Sequence, residues 1–246
     1  MPALQNKGSM FKGFSLETIL LSFTPPKAGR WVLIALIAAP VLGELLLQGA
    51  DFGLWGSPRW RNLAYQFGGF WAGLLHNWTP NFAAQPVAMF FSYAFLHAGL
   101  NHLAGNMLGV VVLGGQITAH YAARAARLDA PRRPPSPGRG LLTLYTLSAL
   151  GGAMMFGAVT HSPSPMVGAS GAVFGLAGAW SVWDWQRARA EHAPRLRRWR
   201  APLIALGLVA LNAATWALNG GALAWEAHLG GYLTGALLAS RPNRFV

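Results

Sequence analysis

The sequence predicts an all-α membrane protein that crosses the bilayer six times. Of its 246 residues, 53% are hydrophobic and only 11% are charged, whereas a soluble domain carries about 25% charged residues. A membrane-spanning helix needs about 20 mostly apolar residues, and six segments approach that length. They cover roughly residues 31–48, 99–117, 140–159, 169–185, 201–218 and 223–240.

The basic residues orient these six spans. Of the 19 Lys and Arg residues, all but Arg59 and Arg61 fall in the N-terminal tail, the loops after spans two and four, or the C-terminal tail. Cytoplasmic loops are enriched in Lys and Arg, so we expect both termini to be cytoplasmic. The net charge of +12 then reflects topology rather than nucleic-acid binding.

This orientation defines the expected domain organisation. We expect a short cytoplasmic tail over residues 1–29, one six-helix domain over 30–240, and a cytoplasmic tail over 241–246. A cleavable signal peptide is the alternative for the first span, but that span starts only near residue 31 and five more follow it. We expect the protein in a bacterial inner (plasma) membrane.

The first outer loop, about residues 49–98, is long and rich in tryptophan. Aromatic side chains favour the membrane–water interface, so the sequence predicts a helix lying in that interface. An ordinary helix packed over the bundle is the alternative. The apolar residues that recur at helical spacing in this loop are Trp60, Leu63, Phe67, Phe70, Trp71 and Leu74.

Polar clusters interrupt spans two, four and six near their outer ends. Polar groups inside a span are costly and usually functional. Ser170 lies thirteen residues before Trp183 and His228 thirteen before Arg241, which places each roughly 20 Å above the inner rim at about 1.5 Å per residue. In a core about 30 Å thick, both side chains should lie about 10 Å below the outer surface.

Glycines at helical spacing explain how spans four and six can meet. Small residues let membrane helices approach each other closely. We therefore expect Ser170 to come within hydrogen-bond reach of His228. The glycines concerned are Gly171, Gly175 and Gly178 on span four, and Gly231 and Gly235 on span six.

These side chains suit nucleophilic catalysis by a Ser–His dyad. A serine needs a base to become nucleophilic, and an imidazole is the usual one. The third, acidic member of a triad is not expected, because Glu226 is only two residues from His228 and faces another side of the helix. His102 and Asn106, at i and i+4 on span two, and the backbone amide of Ser170 are candidate donors to an oxyanion.

Together, the three clusters resemble the signatures of the rhomboid intramembrane serine proteases. They occur in the family order on spans two, four and six. The matching residues are His102-x-x-x-Asn106 with His97 upstream, Gly168-Ala169-Ser170-Gly171 with Phe174 and Gly175, and Ala227-His228-x-x-Gly231-x-x-x-Gly235. The resemblance covers about residues 31–240. One departure is Ala88-Met89, where many rhomboids carry Trp-Arg ahead of the stretch that ends at His97.

The resemblance implies a six-helix rhomboid bundle with a half-submerged first outer loop, and cleavage of transmembrane segments of membrane proteins. It implies Ser170 as nucleophile, His228 as general base, and an oxyanion site formed by His102, Asn106 and the Ser170 amide. Phe174 is expected to pack on the His228 ring. The remaining supporting residues are His97, Gly168, Gly171, Gly231 and Gly235.

Other functions predict other features. A catalytically silent rhomboid-like chaperone or scaffold is the main alternative, but such relatives typically lack the serine or the histidine. A small-solute transporter would show broken helices in symmetric halves. We expect no cofactor and no metal, since no carboxylate or HExxH motif accompanies the histidines. The expected partners are transmembrane substrates and the lipid bilayer, not nucleic acid, and the oligomeric state is left open.

Overall fold

The computed structural model describes residues 25–126, 135–192, 199–218 and 223–240. In these residues the chain forms helices, and its extended pairing is limited to one isolated bridge. The all-α prediction is confirmed. The predicted tails fall largely outside the described residues and stay a prediction. The helices are α1 (Lys27–Asp51), α2 (Arg59–Gly68), α3 (Gln85–Ser92), α4 (Leu100–Ala125), α5 (Pro137–Val159), α6 (Ser170–Ala190), α7 (Arg200–Leu218) and α8 (Trp225–Ser240).

Each of the six predicted spans is a helix, corresponding to α1 and to α4 through α8 in order. The ends differ by a few residues. Helix α5 begins at Pro137 because Ser136 caps it, accepting a hydrogen bond from the Arg139 amide at 3.4 Å, and proline suits a first helical turn. Helix α6 runs on to Ala190, so that its last turn carries basic side chains, which favour a helix C-terminus.

Two described helices, α1 and α5, are long and apolar enough to cross a membrane. A third span results if Gln85–Phe95 is joined to α4 across a bend of 85°. The polar and small residues predicted to form the site lie on α4, α6 and α8. Helix α8, Trp225–Ser240, has only 16 residues.

Helices α6 and α8 approach each other closely at the predicted glycines. A Cβ atom at Gly231 would overlap the carbonyl oxygen of Gly171, and one at Gly235 would overlap that of Gly175. Helix α5 packs against both helices. Only glycine permits this backbone separation, which brings the outer end of α6 against α8.

The first outer loop departs from the predicted helix. Helix α2 ends at Gly68, because Gly69 is extended. Phe70 then forms an antiparallel bridge with Met166 and is fully buried, so the helical pattern through Leu74 is wrong beyond residue 68. Helix α2 itself buries none of its residues, a surface that suits the interface of a membrane. Its exposed apolar side chains are Trp60, Leu63 and Phe67.

Arg61 ties this loop to the bundle. Its guanidinium binds both carboxylate oxygens of Glu44, at 2.9 and 3.1 Å, and Asp51 at 2.6 Å. Hydrogen bonding to the buried Glu44 raises the pKa of Arg61 above its ordinary value, so the guanidinium stays charged. Arg61 and the Tyr65 hydroxyl also donate to the carbonyl of His97, at 3.1 and 2.7 Å. Helices α1 and α2 thereby fix the segment that leads into α4.

Candidate active site

Ser170 is the first residue of α6. Backbone hydrogen bonds from the first outer loop hold the segment that precedes it. Met166 exchanges two backbone hydrogen bonds of 2.9 Å with Phe70, and the Gly168 amide donates to the Tyr93 carbonyl at 2.9 Å. Gly168 has φ of 123°, a conformation that favours glycine. These contacts come from the first outer loop and set the position at which α6 begins.

His228 lies directly opposite Ser170. Its Nε2 is 2.7 Å from the Ser170 Oγ, although the two residues are 58 positions apart in the chain. The Phe174 ring stacks on the imidazole, with centroids 4.3 Å apart and planes 5° from parallel. His228 is buried, with 7% of its surface exposed. The structure thus brings together the serine and histidine that the sequence singled out, at hydrogen-bonding distance.

A third side chain completes the surroundings of His228. The Asn212 Oδ1, on α7, lies 2.7 Å from the His228 Nδ1. Sequence reasoning missed this residue because nothing in the local pattern links position 212 to position 228. A signal was nevertheless present: Asn212 is the only amide side chain in the apolar segment 201–218, and such groups seldom occur in spans without a partner.

His102 and Asn106 on α4 face the backbone just before the serine. A Cβ atom built on Gly168 would lie 2.8 Å from the His102 Nε2 and 3.4 Å from the Asn106 Nδ2. The Ala98 amide donates to the His102 Nδ1 at 3.3 Å, so a neutral His102 carries its proton on Nε2. The Asn106 Nδ2 is buried without a hydrogen-bond partner among the described residues.

The start of α6 adds a backbone donor to this place. The first amides of a helix have no intrahelical acceptor, and Ser170 is the first residue of α6. The His102 Nε2 and the Asn106 Nδ2 both lie close to Gly168, two residues before Ser170. N–H donors grouped beside one segment are suited to binding a developing negative charge.

His97 supports His102 rather than contacting Ser170. It is fully buried, and its ring packs edge-on against His102 with centroids 5.2 Å apart. Burial, reinforced by the neighbouring His102, lowers the pKa of His97 to about 4. The ring is therefore neutral at pH 7 and can pack against a second imidazole without charge repulsion.

Comparison with models of known families assigns the chain to a family. A model of the Rhomboid domain matches residues 84–241, which is more than half of the 246 residues. The chain belongs to the rhomboid family. Rhomboid proteins are typically intramembrane serine proteases, and this one is an integral membrane protein with the helical bundle of its family. No curated protein matches the chain.

The extent of the match is informative. It includes all the site residues from His97 to His228, but it begins after α1 and α2. Glu44 and Arg61 therefore lie outside it, although Arg61, paired with Glu44, donates to the His97 carbonyl in this rhomboid protein. In the described part of the chain, no three His, Cys, Asp or Glu residues are grouped as a metal site would require.

Proposed function

We propose that this rhomboid protein is a serine endopeptidase that cleaves transmembrane segments of membrane proteins inside the bilayer. Ser170 is the nucleophile and His228 the general base. The observation that carries the proposal is the 2.7 Å distance between the Ser170 Oγ and the His228 Nε2, which is the separation required of a nucleophile and its base.

Acylation follows from this geometry. The Ser170 Oγ attacks the carbonyl carbon of the scissile peptide bond while its proton passes to the His228 Nε2. His228 then returns that proton to the amide nitrogen, the C–N bond breaks, and the C-terminal fragment leaves. The N-terminal fragment remains as an ester on Ser170 until a water, deprotonated by His228, attacks it and releases a carboxylic acid.

The tetrahedral intermediates need stabilisation of the oxyanion. The donors are the His102 Nε2–H, the Asn106 Nδ2–H and the Ser170 amide. Loss of one such donor costs about 100- to 1000-fold in kcat in serine proteases. The Asn106 amide has no competing acceptor among the described residues, so it is free to turn to the substrate.

The membrane setting is supported by the charges on the helices. Ser170 begins α6, and Arg187 and Arg189 occupy the last turn of the same helix. By the positive-inside rule, the arginine end is cytoplasmic and the serine end faces the periplasmic or outer side. This orientation agrees with cytoplasmic termini in a bacterial inner membrane.

A fluorophosphonate probe tests the nucleophile and base. We expect the purified protein to be labelled, and Ser170→Ala and His228→Ala to abolish labelling, because the first removes the attacking oxygen and the second its base. Ser181→Ala is the matched control for the serine, since Ser181 is buried on the same helix. His76→Ala, in the outer loop, is the control for the histidine.

The outcomes separate protease from scaffold. Labelling that survives Ser170→Ala would show that another residue reacts, and labelling that survives His228→Ala would remove the base assignment. A folded wild type that never reacts with the probe would favour the catalytically silent chaperone or scaffold.

A further inference from the structure

We propose that Asn212 is a positioning residue for His228, so that a third side chain orients the base of the Ser170–His228 dyad. The inference rests on the proposed serine protease function and adds a residue to it. It starts from the contact between α7 and α8, in which the Asn212 Oδ1 lies 2.7 Å from the His228 Nδ1.

This contact selects the tautomer that the mechanism needs. The Asn212 Oδ1 can only accept a hydrogen bond, so the His228 Nδ1 must carry the proton. The Nε2 then presents its lone pair to the Ser170 Oγ, 2.7 Å away. The opposite tautomer would direct an N–H at the serine oxygen and could not remove its proton.

The contact also restricts a motion of the His228 ring that stacking on Phe174 does not prevent. Stacking at 4.3 Å holds the plane of the imidazole, but it opposes sliding or turning within that plane only weakly. Hydrogen bonds at Nδ1 and Nε2 act in the plane and fix its orientation. A misplacement of about 1 Å can cost about 100-fold in rate.

The surroundings of Asn212 on α7 support a role for this side chain in the contact with His228. The surrounding surface of the helix is apolar and exposed, with 63% of both Leu206 and Val209 accessible. A polar side chain on such a helix is costly in a membrane unless it is paired. An amide meets the need of His228 without burying a carboxylate, whose desolvation would cost several kcal/mol.

Two substitutions separate positioning from simple packing. Asn212→Leu keeps the size of the side chain and removes the acceptor, whereas Asn212→Asp keeps the acceptor and adds a charge. We expect Asn212→Leu to lower kcat for a transmembrane substrate about 10- to 100-fold with little change in KM, and Asn212→Asp to retain most of the activity. A residue that only packs α7 would give the reverse order, because leucine suits an apolar helix and aspartate does not.

The control is Val209→Ala, an exposed position on the same helix, which should leave kcat unchanged. Thermal unfolding of each variant, together with the rate at which the probe labels Ser170, shows whether a loss arises in a folded protein. Wild-type kcat in Asn212→Leu, or equal losses in the Leu and Asp variants, would overturn the role of Asn212 and leave the protease function standing. A wild type inert toward both substrate and probe would overturn the protease function, and this inference with it.

Discussion

At the scale of single residues, the candidate site contains polar side chains that use only part of their hydrogen-bonding capacity. The Nδ1 atoms of His102 and His228 are engaged by the Ala98 amide and by Asn212. Each engaged Nδ1 sets the role of the opposite nitrogen: Nε2 of His102 becomes a donor and Nε2 of His228 an acceptor. The buried Asn106 Nδ2 has no hydrogen-bond partner within the part of the chain that the structure describes, which is costly in the resting protein.

The cost of burying this N–H group leads to a prediction for Asn106→Leu. Leucine is similar in size to asparagine but has no hydrogen-bond donor. We expect kcat to fall about 100- to 1000-fold, because a proposed oxyanion donor is lost, while the melting temperature does not fall, because the Nδ2 makes no hydrogen bond to the described residues. Activity assays and thermal unfolding measure the two effects. Met107→Leu, a volume-conserving change at the next position, is the control. A loss of stability parallel to the loss of activity would mean that Asn106 serves the fold instead.

At the scale of elements, the distance between Ser170 and His228 depends on how closely α6 and α8 pack. Glycines at 231 and 235 place the backbone of α8 against the carbonyls of α6. Any side chain there would push the outer ends of the two helices apart. The distance between Ser170 and His228 is thus set in part by Gly231 and Gly235, three and seven residues after His228.

Gly235→Ala tests this dependence. Overpacking costs about 1–3 kcal/mol, so we expect a lower melting temperature and slower labelling of Ser170. Gly207→Ala on α7 is the matched control, since a Cβ there meets nothing within 4 Å and alanine is the better helix former by up to about 1 kcal/mol. If both variants behave like the wild type, close packing at Gly235 does not control the site.

The helices and their contacts also show which features could be predicted from the sequence and which could not. Long apolar segments are predictable because length and composition decide them locally, and all six spans appear as helices. The helix through Phe70 failed because a tertiary contact with Met166 outweighs the local helical pattern. Asn212 was missed for a related reason, since its partner lies on another helix and sixteen residues away. The pairing of Ser170 with His228 could be anticipated because depth and glycine spacing constrain both.

At the scale of the whole molecule, the first outer loop and the bundle form one support for the site. The Phe70–Met166 bridge and the Tyr93 carbonyl hold the segment before Ser170. Arg61, paired with the buried Glu44, holds the backbone at His97. Bundle helices therefore carry the side chains of the candidate site, and the outer loop fixes the segments that lead into α4 and α6.

The most direct test of the central claim is proteolysis by the purified full-length protein in liposomes that contain a model transmembrane substrate. We predict two fragments whose masses place the cut within the hydrophobic segment of the substrate. Ser170→Ala should give none, and Ser181→Ala should give the wild-type amount. Equal cleavage by the wild type and Ser170→Ala, or no cleavage by a correctly folded wild type across a panel of transmembrane substrates, would contradict it.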